Sequence, residues 1–532
     1  MEKIKYLIIK NNFFSQFLLV GIILLAFSPS FFAGHPRADQ VWYLNQVSIF
    51  DTFNGLLSNA PSWNRSFSAG DFILYRPILY IQLNLFYFFF RHNYFLWQLA
   101  SIVLHSLVAL TIYSLFLKTS ISKTIYPFLI ASLFAVGFSN CELTLWNHIS
   151  GYITFSFFGL FSLLSILNYY ENAKLPWLIL SMISCFLSAL TYELGVVLLF
   201  IYLIHIISND DKFRISHKKK YIIFGFVFLI ALYFYLNISD LAFRNQLNVL
   251  PSGNNFGNSF TEQINNVFEL VLISFTQTLY WIFSIFIPAA IKFEARDRAA
   301  LVGINTQGIL FYINCISLVI LIISILPFWK NIFSGITKRT TPIMATLFLY
   351  SFIISFGRSG PNGLIQANLA NTYYSYISIL IFFAVLAISL YSPNYNRLGT
   401  NKDYENLRRS SLTSYSLISI IALNMIYTFE LGLGFLKLAK SRLRVLDNTN
   451  EWVKNNKRLS TSDRKYFYLD VDCDGNEVRN EFGAHHAAKK YKKYWPETVT
   501  LSDAIHPEFS YRINERRLNL NESDKENLTC EK

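Results

Sequence analysis

Residues 94–117, YFLWQLASIVLHSLVALTIYSLFL, contain no Asp, Glu, Lys or Arg, and Lys118 follows them at once. At about 1.5 Å per residue, a helix of this length outreaches the ~30 Å hydrocarbon core of a bilayer. The run does not alternate apolar with polar, as a membrane barrel strand would. In lipid a backbone must satisfy its own hydrogen bonds, so the stretch is read as a membrane-spanning helix.

Comparable runs lie on both sides of it, at 15–33, 125–141, 152–169, 176–191, 195–207, 221–237, 310–328, 342–356, 372–391 and 414–436. The fold class is therefore all-α: a polytopic helical membrane protein with about 11–12 transmembrane helices. Composition agrees. The chain is 53% hydrophobic and 15% charged with mean hydropathy +0.35, where soluble domains carry about 25% charged residues. The net charge of +13 resides in loops and tail rather than on one face, so it is read as a topology signal and not as a nucleic-acid footprint. The five cysteines form no CxxC pair, which argues against a thiolate metal centre. The first apolar run has no convincing small-residue cleavage site and further spans follow, so it is expected to stay as a signal anchor.

Lys3, Lys5 and Lys10 put the N-terminus in the cytoplasm, and residues 34–93 then form the first outer loop. That loop is expected to hold a short helix at 46–57 and an interfacial helix at 77–90. Lys118, Lys123, Lys174, Arg214, Lys218, Lys219 and Lys220 fall in inner loops, and the outer turns between them are nearly free of Lys and Arg. Parity then requires residues 268–291, which contain Glu269, Gln277 and Pro288, to be re-entrant or interfacial on the outer side. Residues 1–436 make the membrane domain, and 437–532 form a polar region on the outer side. Richness in Phe, Ile, Asn and Lys suits an AT-rich bacterial genome, so the expected location is a bacterial cytoplasmic membrane.

Charges near membrane depth cost at least a few kcal/mol unless paired or wetted, so their positions are functional candidates. Under this topology Asp39, Asp71, Arg76, Glu142, His148, Glu193 and Arg358 all reach the outer side. Asp39 directly follows the first span, where a carboxylate can deprotonate a hydroxyl or hold a divalent cation. Tyr75 and Arg76 precede Pro77, which suits a first helical turn; Arg76 either binds phosphate or snorkels to lipid head groups. His148 is an acid, base or hydrogen-bond donor to a sugar, with Trp146 as stacking surface; the alternative is an aromatic-belt turn. Glu193 stands between apolar runs with no Lys beside it. Arg358 lies in a Gly-Arg-Ser-Gly turn that suits phosphate.

These stretches, in this order, resemble bacterial glycosyltransferases of the GT-C superfamily, and within it the protein O-mannosyltransferase-like branch. The resemblance rests on 71–116 with Tyr75-Arg76-Pro77 and the aromatic helix after it, on 142–151, on 189–199 and on 356–376, and it covers most of 31–391. It implies an outer active site, a polyprenyl-phosphate-linked sugar donor and inversion by direct displacement at the anomeric carbon. The family's acid in the first outer loop maps onto Asp39. Relatives often have two acids there, whereas this chain has Ala38 before Asp39, which favours a general base over a metal ligand; a divalent cation is possible but not favoured. Tyr192-Glu193 replaces a Lys-Glu pair, and 437–532 lack the tetratricopeptide repeats of some relatives. Glu142 and Asp71 are assigned to substrate binding with Arg76, Tyr75, Trp146 and Arg358, and Glu193 and His148 act with Asp39. Membrane lipids and the polyprenyl-phosphate donor are the expected partners, and the acceptor is open. The rival readings are a multi-span transporter or lipid flippase, whose polar groups should sit near the midplane on interrupted helices, and a non-catalytic membrane scaffold.

Overall fold

The computed structural model describes residues 7–34, 76–90, 93–119, 121–122, 124–145, 147–192, 195–196, 198–199, 219–246, 267–286, 309–325, 373–390 and 411–455. Every regular element among them is helical: α1 Asn12–Ala26, α2 Pro77–Phe90, α3 Tyr94–Phe116, α4 Tyr126–Ala135, α5 Cys141–Leu145, α6 Gly151–Asn172, α7 Leu175–Thr191, α8 Lys219–Gln246, α9 Val267–Phe283, α10 Ile309–Ile325, α11 Tyr373–Leu390 and α12 Ser411–Asn455. The expected helix at 46–57, the span at 342–356 and the end of the polar region lie outside the described residues, as does most of the run at 195–207.

Among the described residues three helices are long and apolar enough to cross a membrane: Tyr94–Phe116, Gly151–Asn172 and Leu412–Lys437. Shorter apolar helices pack around them. Large apolar side chains point away from the protein on several of these helices, including Phe13 and Phe17 on α1, Phe224 on α8 and Phe275 on α9. In water such a surface would promote aggregation; against lipid tails it carries no penalty. The protein is an integral membrane protein.

Polar contacts identify the two ends of the bundle. At one end the Lys118 ammonium meets the Glu171 carboxylate at 2.6 Å, the Tyr113 hydroxyl donates to Asn12 Oδ1 at 3.3 Å, and Ser414 Oγ donates to the Tyr126 hydroxyl at 3.5 Å. The starts of α1, α4 and α12 and the C-terminal ends of α3 and α6 therefore share that end. At the opposite end Phe95 packs its ring near Phe31 and Phe32, with centroids 6.1 and 5.5 Å away. Gly432 of α12 meets Ser30 there: an added Cβ would stand 2.9 Å from Ser30 Oγ, so a larger residue would push that hydroxyl aside. Helices α6 and α7 pack antiparallel through serines. Ser162 Oγ donates to the Ser181 carbonyl at 2.8 Å and Ser188 Oγ donates to the Phe155 carbonyl at 3.0 Å. Small polar residues allow the close backbone approach that drives association in lipid.

Three elements depart from the sequence reading. The run at 15–33 is helical only to Ala26; a 3-10 turn, Ser28–Phe32, follows. Pro29 cannot donate a backbone hydrogen bond, and it disfavours the helical conformation for Ser28. The run at 125–141 is no continuous helix, because α4 stops at Ala135 after ten residues. That is about 15 Å of axis, half the hydrocarbon depth. The last helix does not stop at Leu436 but continues to Asn455, so the polar region begins as its extension.

Candidate functional site

The segment after α4 returns to the far end in pieces: a 3-10 turn at Phe138–Asn140, then α5, then a second 3-10 turn at Asn147–Ile149. Interrupting a helix strands carbonyl and amide groups that cost several kcal/mol each if left unpaired in an apolar interior. Here side chains take them up. Asn140 Nδ2 donates to the Phe134 carbonyl at 2.6 Å. His105 Nε2 lies 2.7 Å from the Ala135 carbonyl, and Thr428 Oγ1 donates to the Val136 carbonyl at 2.9 Å. Asn424 Oδ1 accepts from Phe138 N at 3.1 Å, while its Nδ2 donates to the Ile285 carbonyl at 2.9 Å. Further along, Gln98 Nε2 donates to the Leu145 carbonyl at 3.0 Å and Ser101 Oγ donates to Asn147 Oδ1 at 2.8 Å. The same bonds put Ile285, in the turn that follows α9, at the level of Asn424, in the middle of the apolar part of α12.

Where this segment meets α6, a second group of residues assembles. Gln82 Nε2 donates to Ser150 Oγ at 2.9 Å, and Thr154 Oγ1 donates to Gln82 Oε1 at 2.6 Å, which clamps α2 onto the start of α6. Gly151 lets Leu79 and Tyr192 close in, since a Cβ there would meet both at 2.7 Å. Tyr192, the C-cap of α7, stacks on Tyr152 with centroids 4.3 Å apart at 25°. The Arg76 guanidinium lies over the Tyr192 ring, 4.1 Å from its centroid. Both tyrosines are buried, so the cation is held against a partly desolvated aromatic pair, the setting in which cation–π attraction is strongest. A guanidinium carries its N–H donors in its own plane as a fork that matches a phosphate or carboxylate.

Of the residues singled out by sequence, Arg76 takes this stacked position just before α2. Glu142 lies in α5 and His148 in the second 3-10 turn, both on the interrupted segment. Asp39, Asp71, Tyr75, Trp146, Glu193 and Arg358 lie outside the described residues. Gly34 packs on Tyr94 at the start of α3, and Tyr192 immediately precedes Glu193 in the chain. Among the described residues no group of three or more His, Cys, Asp or Glu comes together that could hold a metal ion.

Sequence reasoning missed Tyr152, Gln82, Asn424, Thr428 and Tyr376 as supporting residues. Their signal is a polar atom inside an apolar run, which in lipid needs a partner. It does not say which helix supplies that partner.

No protein-family model and no curated protein sequence matches the chain. Among solved structures it is similar to ArnT from Cupriavidus metallidurans in the apo state, with 11% identity over 94% of this chain and 88% of that chain and a TM-score of 0.41. It is likewise similar to ArnT from Cupriavidus metallidurans bound to undecaprenyl phosphate, with 11% identity, the same 94% and 88% coverage and a TM-score of 0.39. At those scores neither overlay bears on the roles of residues in this chain.

Proposed function

We propose that this protein is a membrane glycosyltransferase of GT-C type that moves a sugar from a polyprenyl-phosphate-linked donor to a lipid, glycan or protein acceptor at the outer face of the membrane. The observation that carries the reading is the Arg76–Tyr192–Tyr152 stack. It holds a cation at one end of a membrane-embedded bundle, over Tyr192, the residue that precedes Glu193 in the chain. A donor dissolved in the bilayer would present its phosphate at that level, and a fixed cation there stabilises the departing phosphate.

In the reaction the acceptor oxygen attacks the anomeric carbon as the bond to the phosphate oxygen breaks. The leaving phosphate keeps the electron pair, the acceptor proton passes to the Asp39 carboxylate, and the anomeric configuration inverts. Arg76, with Arg358, counters the charge that develops on the leaving group. Glu193 and His148 orient sugar or acceptor, with Trp146, Tyr75, Glu142 and Asp71 lining the site.

An interrupted segment such as that between α4 and α6 would favour the transporter or flippase reading if its freed backbone groups faced a cavity, because broken helices near the midplane are a transporter device. In transporters the freed backbone groups face a substrate cavity. Here the Phe134, Ala135, Val136 and Leu145 carbonyls each meet a protein side chain. That supports a structural break and leaves transfer as the better reading.

The test uses proteoliposomes holding the full-length protein and a radiolabelled polyprenyl-phosphate sugar. Wild type is expected to release polyprenyl phosphate and label an acceptor, and Asp39→Asn to insert normally but lose transfer by at least about 100-fold. Movement of intact donor across the bilayer without cleavage would establish the flippase instead.

A further inference from the structure

We infer that His105 and Tyr376 are positioning residues for the segment carrying Glu142 and His148, tying it to the start of α11; this rests on the transferase reading above. His105 lies midway along α3, fully buried. Its two ring nitrogens reach two different elements: Nε2 is 2.7 Å from the Ala135 carbonyl at the end of α4, and Nδ1 is 3.0 Å from the Tyr376 hydroxyl on α11. A carbonyl oxygen can only accept, so Nε2 carries the hydrogen. In the neutral ring Nδ1 is then left to accept from the Tyr376 hydroxyl.

Aromatic contacts hold the ring in this orientation. Phe27 meets it edge-on with centroids 5.5 Å apart, Phe134 lies 5.5 Å away on the α4 side, and Phe134 and Tyr376 pack on each other at 5.4 Å. Ala135 is the last residue of α4, and the chain leaving it becomes α5 and the turn with His148. Tyr376 lies in the first turn of α11, which follows the stretch containing Arg358. The bond pair thus joins the chain leading into the segment with Glu142 and His148 to the start of α11. Asn424 and Thr428 brace the break from α12, but His105 is the member of this set that reaches α11. Reacting groups displaced by about 1 Å can lose up to about 100-fold in rate, so a tie of this kind is read in turnover.

The experiment compares Tyr376→Phe, His105→Gln and the double variant with wild type in the sugar-transfer assay. Tyr376→Phe keeps the ring contacts and removes only the hydroxyl; His105→Gln keeps a donor for the Ala135 carbonyl. The expected result is a fall in kcat of about five- to twentyfold with donor KM within about twofold, and a double variant no more than about twofold below either single one. Unchanged kcat, or KM and kcat losses that track a drop in melting temperature, would overturn the inference. A second measurement is independent of activity. With Cys185, Cys315, Cys473 and Cys530 replaced by Ala, labelling of the remaining Cys141 by a membrane-impermeant maleimide is expected to quicken about fivefold or more in Tyr376→Phe. An unchanged labelling rate overturns the positioning role, whereas absent sugar transfer in wild type removes only the transferase reading.

Discussion

At the residue scale, Arg76 was legible in the sequence as a cation at membrane depth, but its setting was not. The stack on Tyr192 depends on Gly151 admitting Tyr192 and on Gln82 fixing α2, contacts between residues far apart in sequence. The absence of a lysine before Glu193 is legible as well, and in space the Arg76 cation lies over the residue that occupies that place, Tyr192. A planar guanidinium on a ring is not replaced by an ammonium, which is a compact point charge with a flexible stem. Arg76→Lys is therefore expected to raise donor KM about tenfold in the sugar-transfer assay, and Arg76→Ala more. Tyr192→Phe preserves the ring and should stay within about twofold of wild type, whereas Tyr192→Leu should behave like Arg76→Lys. Equal KM values across this series would show that the stack does not shape the donor site.

At the element scale, the helices themselves were readable because long uncharged runs admit little else in a membrane. The ten-residue length of α4 was not readable, because the apolar run continues past it through Val136 and Phe138. What ends the helix is competition for its carbonyls. Asn140 turns its side chain back to the Phe134 carbonyl, Gly137 follows the α4 cap, and His105 and Thr428 take the next two carbonyls from other helices. Polar side chains near a helix end offer the backbone partners outside the helical ladder, and here a 3-10 turn and two helices do so together. Asn424 is the most connected of these residues, joining the Phe138 amide to the Ile285 carbonyl. Asn424→Leu has nearly the right volume and strands both groups in a dry interior. It is expected to cost about 2–4 kcal/mol, seen as a lower midpoint in detergent-mediated unfolding, while Asn424→Ser should recover part of that loss. A leucine variant as stable as wild type would mean that the break holds through packing alone.

At the scale of the whole molecule, the parity argument has a structural counterpart in the two chemically distinct ends of the bundle. Lys118 with Glu171, Tyr113 with Asn12 and Ser414 with Tyr126 mark one end. Arg76, Tyr192, Gly151 and the Phe31–Phe95 contact mark the other. Gly432 rests on Ser30 at this second end, so the extension of α12 toward Asn455 leaves the bundle on the side of the candidate site. The basic residues counted along the chain predict that the Lys118 end faces the cytoplasm. Two exposed positions test this in a chain with its cysteines replaced: Asn93, which caps α3, and Lys174, which precedes α7. An impermeant thiol reagent added outside intact cells is expected to label Asn93→Cys at once and Lys174→Cys only after permeabilisation. The reverse pattern would keep the bundle but move the candidate site to the cytoplasmic face, and the polyprenyl donor would then have to be used before export. Labelling of both positions from outside contradicts the packing itself, because Lys174 follows the Glu171 that meets Lys118 at the far end of α3 from Asn93.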